Sequence, residues 1–100
     1  MQTDNPIEII RVHIWVKGRV QGVGFRAHVE YHALQIGVLG WVRNIGRDTV
    51  ETVAEGSREQ IDQFIEMVKT GPRTAHADEA RVEYEPLTGR LSGFTVKHNM

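Results

Sequence analysis

Apolar and polar positions change their period along this chain in an order that outlines its architecture. From Ile7 to Lys17 the two kinds alternate. Ile10, Val12, Ile14 and Val16 interleave with Arg11, His13, Trp15 and Lys17, which predicts a strand with one apolar face. From Phe25 to Ile36 the spacing becomes helical. Phe25, Val29, Ala33 and Ile36 share a face, and Gly37 is placed as a C-terminal cap. Leu39 to Ile45 and Val50 to Glu55 read as strands, joined into a hairpin by the turn Gly46-Arg47-Asp48. Ser57 opens a second helix and Gln60 completes a capping box. Ile61, Phe64, Ile65 and Val68 form its apolar stripe, and Gly71-Pro72 ends it. Residues 73–79 read as loop. Ala80, Val82 and Tyr84 then alternate with Arg81, Glu83 and Glu85 as a fourth strand, and Phe94 to Val96 form a short last one. This order predicts an α+β sandwich: one sheet, two helices on a single face, the other face in water.

Composition narrows the class. With 100 residues, 40% hydrophobic and 25% charged, the chain reads as a flexible tail over residues 1–6 and a single globular domain over 7–100. A net charge of -1 provides no electrostatic footprint for nucleic acid or for an acidic membrane. The absence of cysteine excludes disulfides, thiolate metal sites and a cysteine nucleophile. No apolar run approaches the roughly 20 residues of a membrane span. The opening Met1-Gln2-Thr3-Asp4-Asn5-Pro6 is polar, unlike a signal peptide, so a cytoplasmic setting is expected.

The candidate chemistry lies between the first strand and the first helix, in Gly18-Arg19-Val20-Gln21-Gly22-Val23-Gly24-Phe25-Arg26. Glycines let backbone N–H groups turn inward, and a helix start beside a cation suits a small tetrahedral oxyanion. A tight turn with a surface arginine explains the same residues, although a turn needs fewer glycines. The third glycine and later acid of a dinucleotide fingerprint are missing, as is the Gly-Lys-Ser/Thr of a Walker A loop. Gln21 to Phe25 partly matches an RNA-recognition segment. That segment carries an aromatic where Val23 stands and a hydrophobe where Arg26 stands, and it lies in a strand.

The same stretch, Gly18 to Arg26, resembles the signature of the acylphosphatase family, and Gly40-Trp41-Val42-Arg43-Asn44 resembles its second signature. The likeness runs from about Val12 to Val96. It implies a ferredoxin-like fold and the metal-free, cofactor-free hydrolysis of acyl phosphates to a carboxylate and phosphate. It implies Arg26 and Asn44 as catalytic residues and the backbone of Gln21, Gly22, Val23, Gly24 and Phe25 as the phosphate cradle. Phosphate or sulfate is expected to occupy that cradle. The partner implied is a small acyl phosphate, with no nucleic acid, no membrane and a monomeric enzyme. A non-enzymatic module that binds phosphate or carbamoyl phosphate is the alternative. The chain departs from the pattern after Asn44. Glycine is at 46 where the family usually has it at the position of Asp48, and Ile45 replaces a frequent threonine. Ala77 and Ala80 replace larger aliphatics, which implies a thinner core at the fourth strand.

The residue types suit that chemistry. The leaving group of an acyl phosphate is a weakly basic carboxylate, so little acid help is needed there. What remains is to hold the phosphoryl group, offset its charge and aim a water in line. A guanidinium fork matches two phosphate oxygens. An asparagine carboxamide accepts from water with its carbonyl and donates with its amide. Other residues read as structural. His28 and His32 lie four apart on a helix but lack a third ligand. Trp15 and Trp41 read as covering the sheet. Arg43 and Arg47 flank Asn44 and suit either anion steering or plain exposure. Glu51, Glu55, Glu83 and Glu85 read as solvated strand faces.

Overall fold

A computed structural model describes residues 7–99, so the tail expected over residues 1–6 lies outside the described residues. Within them the order is β1 (Ile9–Arg19), α1 (Phe25–Ile36), β2 (Leu39–Ile45), β3 (Thr49–Ser57), α2 (Arg58–Thr70), β4 (His76–Glu85) and β5 (Phe94–Val96). The strands form one sheet in the order β4-β1-β3-β2-β5. The first four are antiparallel neighbours, and β5 adds to β2 in parallel. This is the ferredoxin-like α+β sandwich, with two strand-helix-strand units interleaved so that β1 and β3 are central.

Helical amphipathicity accounts for the layers. Phe25, Val29 and Ala33 of α1 and Ile61, Phe64 and Val68 of α2 bury their stripes against Val12, Ile14 and Val16 of β1 and Val42 of β2. The capping box forms as the spacing requires. The Gln60 N–H donates to Ser57 Oγ at 3.2 Å, and the Ser57 N–H donates to Gln60 Oε1 at 2.9 Å. No helix among the described residues is long and apolar enough to cross a membrane.

β1 begins at Ile9 rather than Ile7, β3 spans Thr49–Ser57 rather than Val50 to Glu55, and two further boundaries differ from the alternation pattern. β1 does not stop at Lys17 but continues to Arg19, through a register shift against β4 at Lys17/Gly18. Gly18 has φ 143°, and a Cβ there would stand 2.4 Å from the His76 carbonyl oxygen. That glycine therefore serves a close strand crossing rather than the loop. Correspondingly, β4 begins at His76, inside the stretch that reads as loop. Its first residues pair through the backbone on a mostly exposed edge, where no core enforces alternation. Ala77 packs on the core while Ala80 is exposed.

The open face of the sheet also departs from expectation. Glu51 and Glu55 are buried, with 5% and 3% exposure, rather than solvated. Arg11 Nη1 donates to Glu55 Oε2 at 2.9 Å and Nε to Glu85 Oε1 at 3.1 Å. Arg43 Nε donates to Glu51 Oε1 at 2.6 Å. His13 stands between two carboxylates, with Nδ1 2.6 Å from Glu85 Oε2 and Nε2 2.6 Å from Glu51 Oε2. The indoles cover this face as expected. Trp15 stacks on His13 with ring centres 3.8 Å apart, and the Arg81 guanidinium lies over the Trp15 ring, 4.3 Å from its centre. Beneath them Val53 is fully buried.

Burial pushes the Glu55 carboxyl up, but hydrogen bonds from Thr88 and Arg11 outweigh it and hold the group below its ordinary value of 4.5. A depressed carboxyl stabilises the fold fully above its unfolded value, and that contribution is lost as pH falls through the folded value. Glu55→Gln is expected to lower stability by up to about 3 kcal/mol at neutral pH, since Arg11 loses a buried partner. Thermal melts between about pH 5 and about pH 2 should show the wild type losing more than the variant. Parallel losses would mean that Glu55 is not a source of the acid sensitivity.

Candidate active site

The segment between β1 and α1 turns twice through left-handed backbone. Gly22 has φ 73° and Gly24, the residue before the helix, has φ 80°. A Cβ at either would meet nothing within 4 Å, so backbone conformation rather than crowding asks for glycine there. No side chain caps the start of α1, which leaves its first N–H groups for another acceptor. The segment is fastened on both sides. Val20 is fully buried and Val23 packs against the core. Thr74 Oγ1 donates to the Val23 carbonyl at 2.7 Å. Gln21 Nε2 faces the carbonyls of Ile45, Gly46 and Thr49 at 3.1, 3.3 and 2.9 Å, sharing its two N–H bonds among them.

That carboxamide is the site residue whose side-chain role sequence reasoning missed. It ties the glycine segment to the turn just after Asn44, where the chain departs from the family pattern. A polar side chain inside a glycine-rich run is a faint signal. Nothing local names the three carbonyls it reaches.

Asn44 lies on β2 and shares the core face with Val42 and Val50. It is 6% exposed, and its Oδ1 has no hydrogen-bond partner among the described residues. Arg26 sits in the first turn of α1, and its Nη1 donates to Asn99 Oδ1 at 2.9 Å. Asn99 is brought there by the chain after β5, where the Lys97 N–H donates to the Val42 carbonyl at 2.8 Å. A cavity of about 280 Å³ is lined by Gly22, Gly24, Phe25, Arg26 and Asn44 among others. Gln21 and Val23 do not line it, and the Phe25 side chain is buried in the core.

Other candidates separate from this cavity. Arg43 points to the opposite face, to Glu51, so anion steering falls to neither its charge nor its position. Arg47 is exposed in the turn. The rings of His28 and His32 are 4.4 Å apart, and burial followed by the His32 charge holds His28 below its ordinary value. No group of three His, Cys, Asp or Glu among the described residues could hold a metal ion. Uncapped N–H groups, one guanidinium and the Asn44 carboxamide therefore line a single cavity, with the Asn44 Oδ1 itself buried and unpartnered. The first two suit a small oxyanion, and the third suits a donor such as water.

A family model described as Acylphosphatase matches residues 12–96. An acylphosphatase of Trichormus variabilis is 46% identical over 90 residues, covering 90% of this chain and 88% of that protein. The crystal structure of acylphosphatase from Bacillus subtilis superposes with a TM-score of 0.83 at 33% identity, covering 88% of this chain and 98% of that one. A crystal structure of full-length HypF in the phosphate- and nucleotide-bound form gives a TM-score of 0.85 at 26% identity, covering 97% of this chain and 13% of that one.

A buried acceptor without a partner forgoes roughly 1–3 kcal/mol. Asn44→Ala is therefore expected to keep stability within about 1 kcal/mol of wild type or to raise it, despite the burial of the site. Chemical denaturation measures this. A loss of about 3 kcal/mol would identify Asn44 as a structural residue instead.

Proposed function

Since this chain belongs to the acylphosphatase family and hydrolyses acyl phosphates, we propose that Arg26, Asn44 and the backbone N–H groups of Gln21 through Phe25 carry that reaction. Arg26 and the N–H groups hold the phosphoryl oxygens and offset their charge. Asn44 accepts a hydrogen bond from water through Oδ1 and aims its oxygen at phosphorus. The water oxygen bonds to phosphorus as the bond to the acyl oxygen breaks. The carboxylate leaves with that electron pair, and a phosphoryl oxygen of the substrate takes the proton from the water. Asparagine is too weak a base to take it at neutral pH.

The observation that carries this reading is the unpartnered Oδ1 of Asn44 in the same cavity as Arg26. A module that only held phosphate would have no need of a further acceptor, since an anion offers it no proton. The HypF structure named as phosphate-bound, 13% of which this chain matches, supports phosphate as an occupant of the cavity here. Asn99 holds one arm of the Arg26 fork in the absence of substrate and leaves the guanidinium its other donors. All these groups come from one chain, which supports a monomer as the active unit. Its charge compensation comes from Arg26 and amides, so the reading requires no metal.

Steady-state hydrolysis of acetyl phosphate with excess chelator tests the assignment. Arg26→Ala is expected to lower kcat/KM by at least two to three decades, roughly 3–4 kcal/mol. Asn44→Ala should lower kcat while phosphate, measured as an inhibitor, binds nearly as before. Loss of phosphate binding in Asn44→Ala with retention in Arg26→Ala would reverse the two roles. Loss of wild-type activity on chelation would sink the metal-free reaction.

A further inference from the structure

The cavity holds groups that phosphoryl chemistry leaves unused. Ala27, Glu30 and Val96 line it beyond the cradle. Asn44, at 6% exposure, forms the floor, while Ala27 and Val96 are exposed and Glu30 is half-buried. In-line displacement sets the attacking and leaving oxygens on opposite sides of phosphorus. With water at the Asn44 floor, the acyl group departs toward the mouth, past these three side chains. We propose that Glu30 selects the acyl group, so that the site takes small acyl phosphates whose acyl part carries no negative charge and discriminates against those with a second anionic group. This inference rests on the reading that Asn44 aims the water from the floor.

Glu30 is not engaged elsewhere. It lies one helical turn beyond Arg26, at the spacing of an ion pair. Yet Arg26 Nη1 bonds Asn99, and no hydrogen bond or ion pair holds the Glu30 carboxylate among the described residues. Glu30 thus lines the cavity with a carboxylate that no cation neutralises among the described residues. The phosphoryl dianion is offset by Arg26 and the loop amides. An acyl carboxylate or second phosphate has no such partner and meets Glu30 across a half-buried space, where repulsion is only partly screened. An acyl methyl finds Ala27 and Val96, and an acyl N–H finds a carboxylate acceptor. The volume of about 280 Å³ suits a phosphoryl group with a short acyl chain.

The experiment compares kcat/KM for succinyl phosphate, whose acyl group carries a carboxylate, with that for acetyl phosphate. The ratio is measured in wild type, Glu30→Gln and Glu30→Lys. Wild type should favour acetyl phosphate. The succinyl-to-acetyl ratio should rise about two- to tenfold in Glu30→Gln and further in Glu30→Lys. Added salt should raise the wild-type ratio and barely move that of Glu30→Gln. Because both substrates report on the same folded enzyme, a stability loss in a variant cancels in the ratio. A ratio that stays put in both variants overturns the selector role alone. No hydrolysis of either substrate by wild type overturns the proposed function along with it.

Discussion

Three backbone carbonyls from the β2–β3 hairpin converge on the carboxamide of Gln21, and the geometry of the site follows from that convergence. The hairpin turn has few partners of its own, and carbonyls near the core need donors. Gln21 supplies them from the glycine segment. The same residue thus satisfies the turn after Asn44 and holds the amides before Arg26 beside it. Two pieces of chain on different strands become one body. The Gly18 N–H, donating to the Asp48 carbonyl at 2.9 Å, makes a second tie between the same regions. These bonds fix the separation between the glycine segment and the strand that carries Asn44.

The two faces of the sheet divide the remaining work. The helix side is a dry core of aliphatic and phenyl groups, and Asn44 is inserted at its margin, where it lines the cavity with its Oδ1 buried and unpartnered. The opposite side is held by charge. Arg11, His13 and Arg43 are matched to Glu51, Glu55 and Glu85 across β1, β2, β3 and β4. Alternation along β2 sends Arg43 to one side and Asn44 to the other. Adjacent residues in the second signature therefore serve different ends, one stitching the sheet and one lining the cavity.

Much of the fold was legible in the residues. Both helices, the hairpin and the short last strand follow from apolar spacing, because a helix stripe or strand face must match the core it buries. The capping box, Gly37 and Gly71 marked helix ends by local chemistry. The glycine segment marked the cavity through its demand for left-handed backbone, and the Gly40 to Asn44 stretch through its resemblance to the second family signature. The start of β4 was illegible because an exposed edge strand pairs by backbone alone. Gly18 looked like part of the loop because its true constraint, the His76 carbonyl, lies far along the chain.

Sequence by itself therefore determined the element order and the class of fold, because these rest on local spacing and backbone preference, and it marked the family and the two stretches at the cavity through the likeness of their motifs. Tertiary structure alone decided which polar groups are dry and which are paired. Glu51 and Glu55 looked solvated and are buried, for strand alternation specifies a face without saying what covers it. Gln21, Asn99 and Glu30 acquired their surroundings only when distant segments met, at the hairpin turn, at Arg26 and at the cavity mouth. Hydrogen-bond partners distant along the chain leave no trace in spacing, and charge becomes selective only where a cavity shields it from water.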